Sequence, residues 1–188
     1  MDLASAIYGA KIGDQRSQSW LVDNYSGRLA KISEKIFRNK NDAKEALNDA
    51  FNRILKKIGT YKECYPFDPW IRRVAIHVFF RIRKRKKLKI VMTEFTDEDL
   101  PVAPEVDLKM NVEEIEILID QLPYCFRTVF YLYVMEGLDH KEIAEGMGIK
   151  ETSCRTNYYK ARHKILTLID TKNKKHEKDE TDETEQRD

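Results

Sequence analysis

The sequence predicts an all-α protein made of two small helical modules joined by a flexible acidic linker. Only 7 of the 188 residues are Gly and 5 are Pro, so the turn residues that an all-β fold requires are scarce. Apolar residues recur at helical spacing over 24–82 and again over 112–168. The segment between these blocks has no such periodicity, and its prolines and acids are typical of a linker.

The first module, residues 1–90, is predicted to contain three long helices. These are expected over 24–38, 42–58 and 70–82. In the second helix Asp42 is placed at the N-cap, with Glu45 three residues later, close to a capping box. The segment 61–69 contains two prolines and is predicted to be a loop.

The second module is predicted over 112–170, after a linker over 91–111. Its helices are expected over 112–120, 126–135, 139–147 and through Cys154 to Leu168. Asp139 and Glu142 have capping-box spacing, and Gly148 is suited to a tight turn. The charged tail over 171–188 lacks apolar residues, so we expect it to be disordered.

The composition excludes several classes of protein. The longest charge-free runs have eight residues, against the roughly 18 needed to span a membrane. The first residues lack the basic-then-apolar pattern of a secretory leader, so we do not expect a signal peptide. The 3 cysteines are far apart, and the 4 histidines are scattered, so neither a disulfide framework nor a compact metal site is expected. We expect a cytoplasmic protein in a reducing compartment, with no cofactor, no metal and no membrane insertion.

The net charge of +2 conceals a strong segregation along the chain. Residues 1–92 carry 21 basic and 9 acidic side chains, whereas residues 93–120 carry 10 acids and a single base. A basic module beside an acidic connector indicates a polyanionic partner for the first module. The alternative is that solvated helix faces happen to cluster charge.

The segment 138–164 has the pattern of a helix-turn-helix DNA-binding unit. Its second helix is apolar on one side, and we expect its other side to face DNA. The outward residues are Thr152, Arg155, Thr156, Tyr159, Lys160 and Arg162. Arg155 is suited to guanine acceptors, while Lys160 and Arg162 are suited to phosphates. A helical hairpin that only packs against its neighbours is the alternative.

A second candidate nucleic-acid site lies at the end of the first module. Residues 81–89 contain seven bases and no acid, and an aromatic loop stands just upstream. Aromatic side chains beside a basic groove can hold unpaired bases, and we expect Tyr65 and Phe67 to do so, with Trp70 as a core anchor. A solvated basic helix end is the alternative.

The chain carries four motifs in order. They are DAKEALNDAF from Asp42, FDPWIRRVA from Phe67, Leu122-Pro123 with FRTVF from Phe126 and EIAE from Glu142, and Gly148-Ile149 with Lys160-Ala-Arg162. Together they resemble the extracytoplasmic-function class of bacterial RNA polymerase sigma factors. The first motif is similar to the family's core-polymerase-binding segment, the second to the start of its promoter-melting helix, and the last two to its second domain with the closing helix-turn-helix. The likeness covers roughly residues 15–169.

The resemblance implies functions for the two modules. The first would bind core RNA polymerase and open the minus-ten promoter element; the second would read the minus-thirty-five element of promoter DNA. The implied polymerase-binding residues are Asp42, Glu45, Asn48, Asp49 and Asn52. The implied minus-ten residues are Tyr65, Phe67, Arg73, His77, Arg81, Lys84 and Arg85. Asn157, where the family often has Arg, joins the recognition-helix residues, and an anti-sigma factor is an expected further partner.

We therefore predict a sigma factor that directs RNA polymerase to specific promoters. The alternative is a stand-alone helix-turn-helix transcriptional regulator that does not bind core polymerase. An RNA-processing factor or enzyme that uses the basic helix as an RNA clamp is a further rival. The sequence offers no nucleophile–base pair, no paired carboxylates in an apolar setting and no phosphate-binding Gly loop, so we expect no catalytic residues.

Overall fold

The computed structural model describes the backbone of residues 1–86 and 112–185 and the side chains of residues 1–86 and 114–171. Within these ranges every regular element is helical, which confirms the predicted all-α class. The helices are α1 (Leu3–Lys11), α2 (Gln15–Ile36), α3 (Lys40–Lys57), α4 (Phe67–Arg85), α5 (Val112–Asp120), α6 (Tyr124–Phe130), α7 (His140–Met147) and α8 (Glu151–Glu185). The predicted flexible acidic linker lies outside the described residues.

The chain divides into two compact units. One comprises residues 1–90 together with Glu145–Gly148, and the other comprises residues 91–144 and 149–188. The predicted module boundaries at residues 90, 111 and 170 remain predictions.

The N-terminal unit packs α1–α4 around a continuous apolar core. The side chains of Leu29, Ile54 and Phe79, from α2, α3 and α4, are fully buried. Burial of side chains of this size contributes roughly 1.5–3 kcal/mol each to folding. The core therefore fixes which faces of α3 and α4 point outward.

Two helix starts in this unit differ from the prediction. No helix was predicted before residue 24, yet α1 and α2 begin after Asp2 and Asp14, whose carboxylates accept backbone N–H bonds from Ser5 and Ser17, each at 2.8 Å. The buried side of α1 is hard to recognise in the sequence, because much of it consists of Ala and Gly rather than large apolar residues.

The start of α3 also differs from the prediction. Its N-cap is Asn39, whose side-chain oxygen accepts the Asn41 N–H at 2.7 Å. The expectation that Asp42 caps this helix is wrong, since Asp42 lies within the first turn. The carboxylate of Asp42 is therefore available for a tertiary contact.

The fourth helix begins inside the segment predicted to be a loop. Pro66 is its N-cap and Pro69 lies in its first turn, where the backbone N–H groups have no intrahelical acceptor and proline is tolerated. Phe67 is consequently helical and only 4% exposed, with its ring edge-on to Tyr25 at 5.5 Å and to Tyr61 at 5.0 Å.

In the C-terminal unit, the helix predicted over 126–135 is present with a change of pitch. It begins as α6 and continues as a π-helical turn over Tyr131–Met135, and Gly137, with a φ of +68°, follows it.

The last helix extends further than predicted. Its backbone is helical to Glu185, where a disordered tail was expected, because no Gly or Pro interrupts the sequence after Gly148.

Among the described residues, no helix is both long enough and apolar enough to cross a membrane.

Candidate nucleic-acid interface

The helix-turn-helix consists of α7, a tight turn and the first part of α8. As predicted, Asp139 caps α7, because its Oδ1 accepts the Glu142 N–H at 2.7 Å. Gly148 adopts a φ of +70°, which is the left-handed conformation that glycine tolerates best. The Ile149 N–H then donates to the Ala144 carbonyl at 3.0 Å, which closes the turn.

The inner side of α8 is fixed by apolar packing. Cys154 and Ala161 are fully buried and Ile165 is 5% exposed. The ring of Tyr158 stacks on Phe130 of α6, with centroids 5.8 Å apart and an interplanar angle of 15°. This packing sets which side chains α8 presents to solvent.

Most of the predicted DNA-binding residues of α8 are on its outer side. Thr152, Arg155, Thr156, Tyr159 and Arg162 are exposed, and Lys160 is half-buried. Asn157 is a correction: only 5% of it is exposed, because it comes three residues after Cys154 and turns inward. Its Nδ2 is buried without a hydrogen-bond partner among the described residues, so it is not available to DNA in this conformation.

Arg155 is held on the surface of α8 by an acid one turn earlier. Its Nη2 lies 2.7 Å and its Nε 3.2 Å from Oε1 of Glu151, and these hydrogen bonds raise the pKa of the guanidinium. The side chain of Arg155 remains 55% exposed. An exposed pair of this kind is weak, so Arg155 can exchange Glu151 for a guanine edge.

A buried contact that sequence reasoning did not predict joins α7 to α8. Nδ1 of His140 lies 3.7 Å from Sγ of Cys154, and the imidazole stacks on Tyr133 at 4.3 Å with an interplanar angle of 7°. Burial, with a smaller effect from Arg155, lowers the pKa of His140. Burial raises the pKa of the Cys154 thiol to about 11. Both groups are therefore neutral at pH 7.

The outer side of α4 carries a line of basic residues, here called the α4 basic face. Arg73, His77, Arg81 and Lys84 are all exposed, and their spacing of four, four and three residues places them on one side of the helix. Arg85 is exposed beside this line. The structure thus brings together five of the seven predicted minus-ten residues.

The two predicted aromatic residues have different environments. Tyr65, 66% exposed, lies in the loop before α4, and its carbonyl accepts the Tyr61 hydroxyl at 2.5 Å. Phe67 is a correction, because the cluster of Tyr25, Tyr61 and Trp70 covers it, and a covered ring cannot receive a base. Trp70, predicted to be a core anchor, is half-buried in that cluster.

The basic run that begins at Arg81 is not uniformly exposed. Arg83 is 4% exposed, and its Nη1 donates to the carbonyl of Ile36 at 3.4 Å.

Lys86, for which the sequence predicts no individual role, lies between two acids of α3. Its Nζ is 2.7 Å from Oδ1 of Asp42 and 2.6 Å from Oε2 of Glu45, and these bonds raise its pKa.

The predicted polymerase-binding residues share the outer side of α3 but differ in their contacts. Asn48 and Asn52 are exposed, Asp49 is half-buried, and Asp42 and Glu45 are bound to Lys86. The sequence gives no signal for the role of Lys86, because nothing in the basic run distinguishes the lysine that contacts α3 from its basic neighbours. Within the described side chains, no group of three potential metal ligands comes together.

Comparisons with known proteins find relatives among bacterial sigma factors. A family model described as Sigma-70, region 4 matches residues 113–165, which contain α7 and the outward residues of α8. The ECF RNA polymerase sigma factor SigE of Mycolicibacterium smegmatis is 26% identical over 175 residues, covering 86% of this chain and 65% of that protein. The ECF RNA polymerase sigma factor SigW of Bacillus subtilis is 26% identical over 179 residues, covering 88% of this chain and 95% of that protein.

Among solved structures, CnrH in complex with the cytosolic domain of CnrY is similar with a TM-score of 0.47 and 18% identity, covering 88% of this chain and 96% of that one. The RNA polymerase sigma-H factor of Pseudomonas aeruginosa is a further relative, 26% identical over 166 residues, covering 81% of this chain and 86% of that protein. The region 4 match and the sigma-factor relatives together show that this chain is similar to the extracytoplasmic-function class of bacterial RNA polymerase sigma factors.

Proposed function

We propose that this protein directs RNA polymerase to specific promoters for transcription initiation. The observation that carries the proposal is the exposed polar side of α8, mounted on a capped helix-turn-helix within the segment that matches region 4. The relatives that span nearly the whole chain are sigma factors, which supports the same function for both units. The chemistry of RNA synthesis belongs to the polymerase, so this chain needs no catalytic residue.

The second module reads the upstream, minus-thirty-five promoter element. In helix-turn-helix complexes the second helix enters the major groove, and residues near its N-terminus contact base edges. Arg155 and Thr152 occupy that position on α8, and Arg155 is suited to bidentate contact with guanine. Arg162 and Lys160, one to two turns further on, are suited to phosphate contact.

The first module binds the minus-ten element through the α4 basic face and Tyr65. From Arg73 to Lys84 the helix rises about 16 Å, which is long enough to contact several phosphates of one strand. Tyr65 precedes this face in the loop and presents an exposed ring on which an unpaired base can stack. Positive side chains that track the backbone and an aromatic platform suit strand opening better than reading a closed duplex.

The outer side of α3 is the proposed contact with core polymerase, and residues 1–90 and 112–170 are the two proposed modules. An anti-sigma factor is the expected regulatory partner by family resemblance. The cytoplasm, where bacterial polymerase and promoters are found, is the proposed site of action.

The test is complex formation with purified core polymerase. Size-exclusion chromatography of the mixture is expected to give a 1:1 complex, and that complex is expected to bind a matched promoter fragment. If the chain binds promoter DNA alone and forms no complex with core polymerase, the stand-alone regulator replaces this proposal.

A further inference from the structure

We propose that the hydroxyl of Tyr61 positions Tyr65, so that the exposed ring of Tyr65 is held in place for an unpaired promoter base. Tyr61 is a positioning residue, because it acts through Tyr65 and does not itself touch DNA. The proposal rests on the proposed function, in which Tyr65 stacks on a base of the opened minus-ten element.

The backbone of Tyr65 is held by hydrogen bonds on both sides of the residue. Its N–H donates to the carbonyl of Lys62 at 3.2 Å, and its carbonyl accepts the Tyr61 hydroxyl at 2.5 Å. The next residue is Pro66, the N-cap of α4, and the residue before a proline is largely restricted to extended conformations. Both backbone polar groups of Tyr65 are therefore paired, and its backbone has little conformational freedom.

The ring of Tyr61 is itself fixed by its neighbours. Tyr61 is 7% exposed, and its ring lies edge-on to Phe67 with centroids 5.0 Å apart and tilted against Trp70 at 5.2 Å. Nζ of Lys11, at the end of α1, lies 5.7 Å from the centroid of the Tyr61 ring and 3.0 Å from Oε1 of Glu63. The hydroxyl of Tyr61 therefore reaches the loop from a ring that the core holds in place.

The ring of Tyr65 has the opposite environment, since this residue is 66% exposed. A ring so exposed makes little contact with the core, so its place is set by its backbone. An aromatic ring presented from a fixed backbone loses less conformational freedom when a base stacks on it than a ring on a mobile loop does. The Tyr61 hydroxyl thus contributes to DNA affinity without a contact to DNA.

The alternative is that this hydrogen bond only stabilises the fold, since a buried tyrosine usually pairs its hydroxyl. The two roles differ in what happens when the ring of Tyr65 is removed. The carbonyl of residue 65 remains in Tyr65→Ala, so a bond that only stabilises the fold keeps its effect there. A positioning bond loses its effect, because no ring is left to position.

The experiment is a double-mutant cycle of Tyr61→Phe, Tyr65→Ala and the double variant, each in complex with core polymerase. The Kd is measured for a promoter fragment whose minus-ten region is kept unpaired by mismatches. Tyr61→Phe is expected to raise this Kd about three- to tenfold in the original protein and less than about 1.5-fold in the Tyr65→Ala background. Tyr65→Ala alone should raise it about fivefold or more.

Two controls separate positioning from general effects. The Kd for a duplex fragment that carries only the upstream element should stay within about twofold in all three variants. Tyr8→Phe removes the hydroxyl of a tyrosine on α1 that is 67% exposed, and it should leave the Kd for the unpaired fragment within about twofold. Tyr61→Phe keeps the ring that packs on Phe67 and Trp70, so its midpoint of thermal unfolding should fall by no more than a few degrees.

Equal losses from Tyr61→Phe in both backgrounds would overturn the inference and make the hydrogen bond a general stabilising contact. No loss in either background would also overturn it, because Tyr65 would then be held without the hydroxyl. If Tyr65→Ala binds the unpaired fragment as tightly as the original protein does, the stacking role of Tyr65 fails and the inference falls with it. Failure of the original protein to form a complex with core polymerase would instead reject the proposed function as a whole.

Discussion

Replacing Asn157 by leucine is expected to stabilise the helix-turn-helix without weakening DNA binding. Asn157 is 5% exposed, and its Nδ2 has no hydrogen-bond partner among the described residues. A buried polar group left unpaired costs about 1–3 kcal/mol, and the larger volume of leucine at this edge of the buried side costs about 1 kcal/mol in overpacking. The two terms leave a net gain of about 1 kcal/mol for Asn157→Leu.

Thermal unfolding followed by circular dichroism measures this gain. For a module of this size, 1 kcal/mol corresponds to an increase of about 4–8 °C in the midpoint. Asn157→Asp is the matched control, because it buries a charge in place of the amide and is expected to lower the midpoint instead.

Promoter binding by the complex with core polymerase provides the second measurement. Because Asn157 turns inward, the affinity of Asn157→Leu for a matched promoter should stay within about threefold. A lower midpoint together with a tenfold loss of promoter affinity would refute the reasoning, since it would mean that the amide reaches DNA.

Three further predictions concern the two DNA-binding surfaces and the His140 contact. Arg155→Ala should reduce the preference for a matched over a scrambled upstream element by roughly five- to hundredfold. Glu151→Ala should change this preference only about twofold, because the exposed pair is weak. Affinities for both DNA sequences measure the effect. Arg81→Ala with Lys84→Ala should weaken binding equally on different promoters and reduce the slope of log affinity against log salt by up to about two, and a loss confined to one promoter would contradict phosphate contact. The free energy of unfolding should fall as the pH drops below about 6.5, because the lowered pKa of His140 means that the unfolded chain binds the proton more readily, and the loss is complete below the folded pKa. Urea unfolding at pH 7.5 and 5.5 measures this loss, and a loss of equal size in His140→Gln would assign it to other groups.

Local signals in the sequence were enough to predict the helix-turn-helix. Asp139 with Glu142 marks the start of α7, and Gly148 marks the turn, because capping and the left-handed conformation depend on residues close in sequence. The outward residues of α8 followed from the spacing of Cys154 and Ala161, which are both fully buried. The same spacing places Asn157, three residues after Cys154 and four before Ala161, on the buried side, but its polar side chain favoured an outward prediction that proved wrong.

The first module was harder to predict because its details depend on contacts between distant segments. Phe67 follows a proline in an aromatic loop, and only the positions of Tyr25 and Tyr61 decide that its ring is buried. Asp42 has the spacing of a cap, but Asn39 occupies that role and leaves the carboxylate to Lys86, 44 residues away. Pairing between residues so far apart leaves no periodic trace in a single sequence.

The most direct test of the central claim is run-off transcription by purified core polymerase on a panel of promoter fragments. The account predicts discrete transcripts from a subset of promoters only when this protein is added, and their loss when the upstream element is scrambled. Promoter binding by this protein with no transcript from any fragment, in a panel on which a known sigma factor is active, would contradict it.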